Sequence, residues 1–313
     1  MTEQVSDEHS PALKSRSDVP FYTVFSVISA IYVLLILAML AAETTYTTTD
    51  HIWAAFAKPE IRYAIWLSLV SCAITTVLSL WVSVPIGYLL SRHNFWGKTL
   101  IDAVLDIPIV LPPLVIGLCL LILFQVQIPN IEWLNNAVDI DSGTNEGKEF
   151  VMAKTQSLDD LIRKLTKLVF GKAIGVTYEI PSVILAQFMV ACAFAVRTMR
   201  VTFDQIGPRY EQVAMTLGCN RGQAFWRVVF PQAYRGLLAA GTLAWARSLG
   251  EFGPILIFSG ATRMKTEVLP TTVFLELTVG NIEGAVAASL IMVVSAFIVL
   301  VVARMFGLTH AAV

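Results

Sequence analysis

Two ionisable residues inside an apolar run are the first candidates for chemistry: Arg247 and Glu251. They stand four apart, which puts both side chains on one helix face. Counted from Tyr234 at about 1.5 Å per residue, Arg247 lies roughly 20 Å along that run. Ionisable groups at such membrane depth face protein or water and pair with one another. Either Arg247 faces a water-filled path, or the two form a buried ion pair that fixes helix packing. The pair is favoured, because ion pairs are a common answer to the cost of charge at membrane depth. Gly253 and Pro254 follow at once and predict a bend just beyond Glu251. Other reactive constellations are missing from the sequence. Cys72, Cys119 and Cys192 sit in apolar runs, Cys219 stands apart, and no pair has metal-ligand spacing. The four histidines are scattered, so no metal site is expected. Gly97 to Thr99 read GKT, but Arg92 stands where a phosphate cradle needs its first glycine. No Ser/His/Asp or Cys/His set can be assembled. The chain is not expected to be an enzyme, and any energy must come from outside it.

A second stretch stands out by contrast with its surroundings: YEQVAMTLGCNRGQAFWRVVFP, Tyr210 to Pro231. It is too polar and too broken by glycine to cross a membrane. Pro208 favours a helix start. Val213, Ala214 and Leu217 then share a face, and Gly218 can take the positive φ that ends the helix. Asn220 is a good N-cap with Gln223 three residues on, close to a capping box. Phe225 with Val229 and Trp226 with Phe230 are spaced by four, and Pro231 is expected to stop this second helix. Two short helices joined by a glycine corner have apolar faces too small to span lipid but large enough to dock on a protein.

The elements that must position these residues are long and apolar. Of 313 residues, 56% are hydrophobic and only 14% charged, with net charge −1; mean hydropathy is +0.69. A soluble domain rarely has such a composition. Nothing in the charge points to a nucleic-acid partner, and none is expected. Roughly 20 apolar residues cross the hydrocarbon as a helix. Six runs qualify: 21–42, 63–90, 107–127, 180–200, 234–258 and 284–304. The second carries Pro85 and Gly87, the third Pro112 and Pro113, and the fourth starts with Pro181 in its first turn. Freed carbonyls at Pro112 and Pro113 need partners in neighbouring helices or water, or the segment is simply kinked. Gly236, Ala240, Ala244 and Ser248 form a small-residue stripe that allows close approach of another span or a second copy. The expected fold class is an all-α membrane protein with six transmembrane helices.

Around the spans, residues 1–20 read as a polar tail and 21–313 as the membrane domain. A cleaved leader is disfavoured for the first run by its long polar lead and its length. Residues 128–177 form an unusually long polar connection. Within it Leu158, Leu161, Ile162, Leu165 and Leu168 make an amphipathic helix, for the membrane surface or for the outside of the bundle. Short loops on the side of both termini hold most of the basic residues, among them Arg92, Lys98, Arg197, Arg200, Arg209, Arg221 and Arg227. The opposite side has Lys58, Arg62, Arg263 and Lys265, and the six basic residues of the long insertion weigh less. Both termini and the loop 201–233 are therefore expected in the cytoplasm, and the insertion outside.

E-x-x-A-x-x-x-G, then a hydrophobic residue and proline, occurs here as Glu211, Ala214, Gly218, Phe230 and Pro231. This resembles the cytoplasmic EAA loop of type I ABC importer permeases, with Gln212 where a small residue is usual. AQFMVACAFAVRT before it, WARSLGEFGPILIFSG after it and DIPIVLPPLVIG earlier resemble the oxyanion branch, the molybdate, tungstate and sulfate permeases. The likeness covers about 62–127 and 174–306. It implies a MetI-like bundle in the cell inner membrane that moves an oxyanion by alternating access. It implies a coupling loop made by Glu211, Ala214, Leu217, Gly218, Arg221 and Pro231. Arg247, Glu251, Gly253, Pro112 and Pro113 would serve the path or helix packing. The implied partners are a dimer of ATP-binding cassette subunits, which hold ATP and Mg, a second permease copy, and an extracytoplasmic solute-binding protein. Permeases for phosphate, iron, thiamine or polyamine are alternatives. An ion-coupled secondary transporter would spread charge over several spans or show inverted repeats, and an intramembrane enzyme would need more paired groups at depth.

Overall fold

The computed structural model describes residues 19–45, 49–129 and 155–309. The chain divides into two compact units, 1–48 and 49–313. The described part of the first is a single helix, α1 (Val19–Thr45), 27 residues without a polar face. The rest of the expected 1–20 tail lies outside the described residues, and helix already begins at Val19.

The second unit begins with α2 (Thr49–Ala57) and the 34-residue α3 (Pro59–Arg92), which continues through Pro85. Next come α4 (Lys98–Val110) and α5 (Pro113–Gln125). Strands β1 (Gln127–Pro129) and β2 (Thr155–Ser157) pair antiparallel, Ile128 opposite Gln156. Helices α6 (Leu158–Phe170) and α7 (Ile180–Gln205) follow. The polar stretch forms α8 (Pro208–Thr216), α9 (Arg221–Ala224), a π-helical turn (Phe225–Val229) and α10 (Phe230–Gln232). The chain continues as α11 (Tyr234–Leu249), α12 (Gly253–Phe258), α13 (Leu269–Thr278) and α14 (Ile282–Thr309).

Among the described residues four helices are long and apolar enough to cross a membrane, within α1, α3, α7 and α14. A fifth span results if α4 and α5, bent by 111° at Leu111–Pro112, count as one. The expected count of six is thus not matched span for span. Pro113 occupies the first turn of α5, and Leu111 before the prolines is extended, as a residue preceding proline prefers. The expected span 107–127 therefore reduces to a 13-residue α5. The expected span 234–258 breaks at residues 250–252, where Gly250 and the Gly253–Pro254 start of α12 interrupt the ladder. The bend sits at Glu251 rather than beyond it.

Close packing fixes these breaks. A Cβ on Gly117 would lie 2.8 Å from Pro254 Cα, and one on Gly253 would lie 3.1 Å from Pro113 Cβ. The double-proline start of α5 and the Gly–Pro start of α12 are thus pressed together, with Phe124 and Phe258 rings 5.3 Å apart beside them. Helices α3 and α7 pack along their length through small and polar side chains. Thr75 Oγ1 donates to Gln187 Oε1 at 3.2 Å, and a Cβ on Gly87 would meet the Arg200 backbone at 2.9 Å. The small-residue stripe of α11 turns inward: Gly236 abuts Thr202, and Ala244 clusters with Ala191 and Ala195 of α7.

Helix α6 takes the second of its two expected places. Leu158 and Ile162 pack against the core formed by Leu67, Ile116, Phe124 and Val183. Ser157 and Asp160 form a reciprocal capping box, and Asp159 Oδ1 accepts from Val176 N (2.6 Å) and Thr177 N (2.9 Å). Of the insertion, 130–154 lies outside the described residues.

Candidate functional site

The glycine-cornered hairpin is built as its caps dictate. Gly218 has φ +92° with open space around it, so its need for glycine is conformational rather than steric. Cys219 N donates to Ala214 O at 3.1 Å, closing the end of α8. Asn220 and Gln223 complete a true capping box. The second helix departs from expectation. Its middle relaxes into a π-helical turn, a form often found at functional sites. Pro231 does not stop it but sits in the first turn of α10, and the chain runs through Ala233 into α11. The Trp226 and Phe230 rings meet at 4.9 Å as their spacing suggests. Phe225 reaches inward to the Tyr88 ring at 4.8 Å.

The two faces of α8 differ sharply. Glu211 is 8% exposed and Ala214 is buried. Tyr88 OH donates to Glu211 Oε1 at 2.6 Å, and Arg92 Nε lies 3.5 Å from Glu211 Oε2. Arg92 Nη2 also donates to Ile206 O at 2.8 Å. These residues border a cleft of about 500 Å³ that Arg221 and Phe225 help to line. On the opposite face Tyr210, Val213 and Leu217 are exposed, Leu217 at 81%. Their i, i+3, i+7 spacing is the pattern by which a helix enters a groove on another protein. Sequence reading grouped Glu211, Ala214, Leu217 and Gly218 and put Val213, Ala214 and Leu217 on one face; the structure turns Glu211 toward α3, buries Ala214, and presents Val213 and Leu217 on the other face. It missed Tyr88, Arg92 and the outward Tyr210, and only the helical period could have pointed to Tyr210.

Arg247 and Glu251 do meet. Arg247 Nη2 lies 2.8 Å from Glu251 Oε1, with side chains 33% and 1% exposed. The guanidinium also stands 5.7 Å over the Phe194 ring. Gly253 and Pro113 form part of the α5–α12 contact that follows this pair, whereas Pro112 lies just before α5, where its carbonyl accepts from Val115 N at 2.9 Å. At the other end of α3, Glu276 of α13 is held by Lys58 (3.4 Å), Arg263 (3.0 Å) and Asn281. Burial opposes ionisation of Glu276, but these donors hold its carboxyl below the usual range. Glu267 nearby is fully buried, and burial pushes its carboxyl up despite Thr272 and Arg263.

Fold and site together define a helical membrane protein that carries a short polar hairpin with one exposed apolar face between two of its spanning segments. The chain belongs to the family of binding-protein-dependent transport system inner membrane components, whose model matches residues 83–308. It is similar to the sulfate transport system permease protein CysT of Escherichia coli (strain K12), 28% identical over 92% of this chain and 93% of that one. It is also similar to the molybdenum transport system permease protein ModB of Mycobacterium tuberculosis (strain H37Rv), 30% identical over 79% and 80%. ModB of Haemophilus influenzae is 31% identical over 67% and 77%. In solved structures the fold recurs in a bacterial ABC transporter that imports the acidic polysaccharide alginate. There the TM-score is 0.63 at 14% identity, covering 93% of this chain and 95% of that one. The same transporter with its alginate pentasaccharide-bound periplasmic protein gives a TM-score of 0.65. The chain is thus an inner-membrane permease of the ABC importer class with a type I fold.

Proposed function

We propose that the chain moves a tetrahedral oxyanion, of the sulfate, molybdate or tungstate class, by alternating access. Sulfate and molybdenum permeases among the relatives support the oxyanion class. One observation carries the mechanism: α8 is pinned to α3 through buried Glu211 while Tyr210, Val213 and Leu217 stand free on its other face. Such a face fits a groove on a separate ATP-binding subunit, which would hold ATP and Mg. Two of those subunits close on ATP and draw together the hairpins of two permease copies. A path between the copies opens outward, takes the anion from an extracytoplasmic binding protein, and reopens inward after hydrolysis. The solved relative with its periplasmic protein supports that last partner. The basic short loops support a cytoplasmic hairpin and cytoplasmic termini. Arg247 keeps its charge, but its pair with Glu251 is neutral as a whole and does not hold a dianion as a lone cation would.

Co-purification tests the docking face. Leu217→Asp places a charge in the apolar contact without touching the Glu211 anchor. It should remain in the membrane and lose the ATP-binding subunit that the unaltered chain retains. Retention of that subunit at full yield would reject the assigned face.

A further inference from the structure

Helix α3 is tied at both ends to segments far away in sequence. At its start, Lys58 Nζ lies 3.4 Å from Glu276 Oε2, Tyr63 OH donates to Lys265 O at 3.0 Å, and Leu269 N donates to Ser68 Oγ at 2.8 Å. These ties bind the first three turns of α3 to the segment 263–276. At its last turns Tyr88 and Arg92 hold Glu211, and Arg92 also holds the Ile206 carbonyl. Both ends close on a buried carboxylate, Glu276 at one and Glu211 at the other. Breaking the tie at the hairpin end would leave Glu211 under-paired in a poorly solvated place, which costs far more than losing an exposed pair; at the other end Glu276 would keep Arg263 and Asn281, and three separate contacts share the joint. The ends are separated by 34 residues of unbroken helix, about 50 Å at helical rise. Thr75 and Gln187 seat the middle of the helix on α7.

A displaced hairpin cannot leave Tyr88 and Arg92 behind without stripping Glu211, and the segment 263–276 cannot leave α3 behind without breaking the Lys58–Glu276 pair and the Tyr63 and Ser68 hydrogen bonds together, although Arg263 and Asn281 stay with Glu276. We propose that α3 is a connecting rod. Tyr88 and Arg92 at one end, and Lys58 at the other, are positioning residues that deliver movement of the hairpin to the extracytoplasmic segment 259–281. The proposal rests on reading Tyr210, Val213 and Leu217 as the face driven by ATP.

The test is a double-mutant cycle in the full transporter, reconstituted with its ATP-binding subunits and binding protein. The readout is the stimulation of ATP hydrolysis by ligand-loaded binding protein, which a merely structural residue would not move while assembly and basal hydrolysis stay intact. Cutting the start of α3 with Lys58→Gln, Tyr63→Phe and Ser68→Ala together, and cutting its other end with Glu211→Gln, should each lower that stimulation about tenfold, within the usual range for coupling between distant sites. Both cuts combined should be no worse than the poorer one alone, since either disconnects the same rod. Two independent sites so far apart would instead multiply their effects, and a product near a hundredfold would overturn the proposal. Lys58→Arg should retain stimulation. Should Glu211→Gln fail to assemble, Arg92→Gln takes its place in the cycle. A nitroxide at Met264→Cys, in a chain whose other cysteines are serines, gives a second reading. ATP should change its spectrum in the otherwise unaltered chain and not with Arg92→Gln, and an equal change in both would also overturn the rod. If no ATP-binding subunit co-purifies with the unaltered chain, the importer mechanism itself fails. Intact co-purification with multiplying effects removes the rod alone.

Discussion

Arg247 and Glu251 show how one pair can be stable without being strong. Glu251 is 1% exposed, so its carboxylate depends on the guanidinium 2.8 Å away. Removing one partner of a buried pair leaves an uncompensated charge, whereas removing both leaves only a packing change. Arg247→Ala should therefore lose about 3 kcal/mol of stability, and Arg247→Ala with Glu251→Gln should recover most of it. Thermal unfolding in detergent measures both, and a double variant no more stable than the single would contradict the pairing role. If the stable double variant also fails to transport, Arg247 serves the path as well. The pair was legible in the sequence because four residues make one helical turn. The Tyr88–Glu211 bond was not, because 123 residues separate its partners and no local spacing joins them.

At the scale of elements, terminal chemistry was readable, and Pro112–Pro113 and Gly253–Pro254 marked the breaks without showing how far they divide the spans. Gly218, Asn220 and Gln223 announce the hairpin corner because caps are set by single residues. The apolar stripe of α6 was equally plain, since five of its leucine and isoleucine positions share one face. Hydropathy, by contrast, averages over a window and passes smoothly across Leu111–Pro112 and Gly250–Phe252, where the helices actually break. The α5–α12 contact that stabilises those breaks is a tertiary fact, visible only once Gly117 meets Pro254. Docking of α6 carries its own pH signature. Burial alone would raise the Asp159 carboxyl, but the backbone N–H groups of Thr177 and Val176, with Arg163, hold it below the usual aspartate range. A depressed carboxylate stabilises the fold above its unfolded value, about pH 4, and that contribution is lost as pH falls through its folded value. Hydrogen exchange of α6 should therefore speed up selectively below about pH 4. Asp159→Asn should exchange faster at neutral pH and lose this dependence, and an unchanged acid profile in that variant would contradict the assignment.

At the scale of the whole molecule, the chain is an inner-membrane permease, and the proposed docking makes its hairpin the place where movement enters. Its composition announces a membrane bundle, its family announces an importer permease, and its hairpin presents an apolar face with a buried anchor behind it. Under the proposed function, choice among oxyanions falls to a separate binding protein rather than to the neutral Arg247–Glu251 pair. The most direct measurement of the central claim is uptake of labelled sulfate and molybdate into proteoliposomes containing this chain, its ATP-binding subunits and its binding protein. Uptake should require ATP and the binding protein, persist without any ion gradient, and vanish with Leu217→Asp. Uptake driven by an ion gradient without ATP, or normal uptake by Leu217→Asp, would contradict that claim.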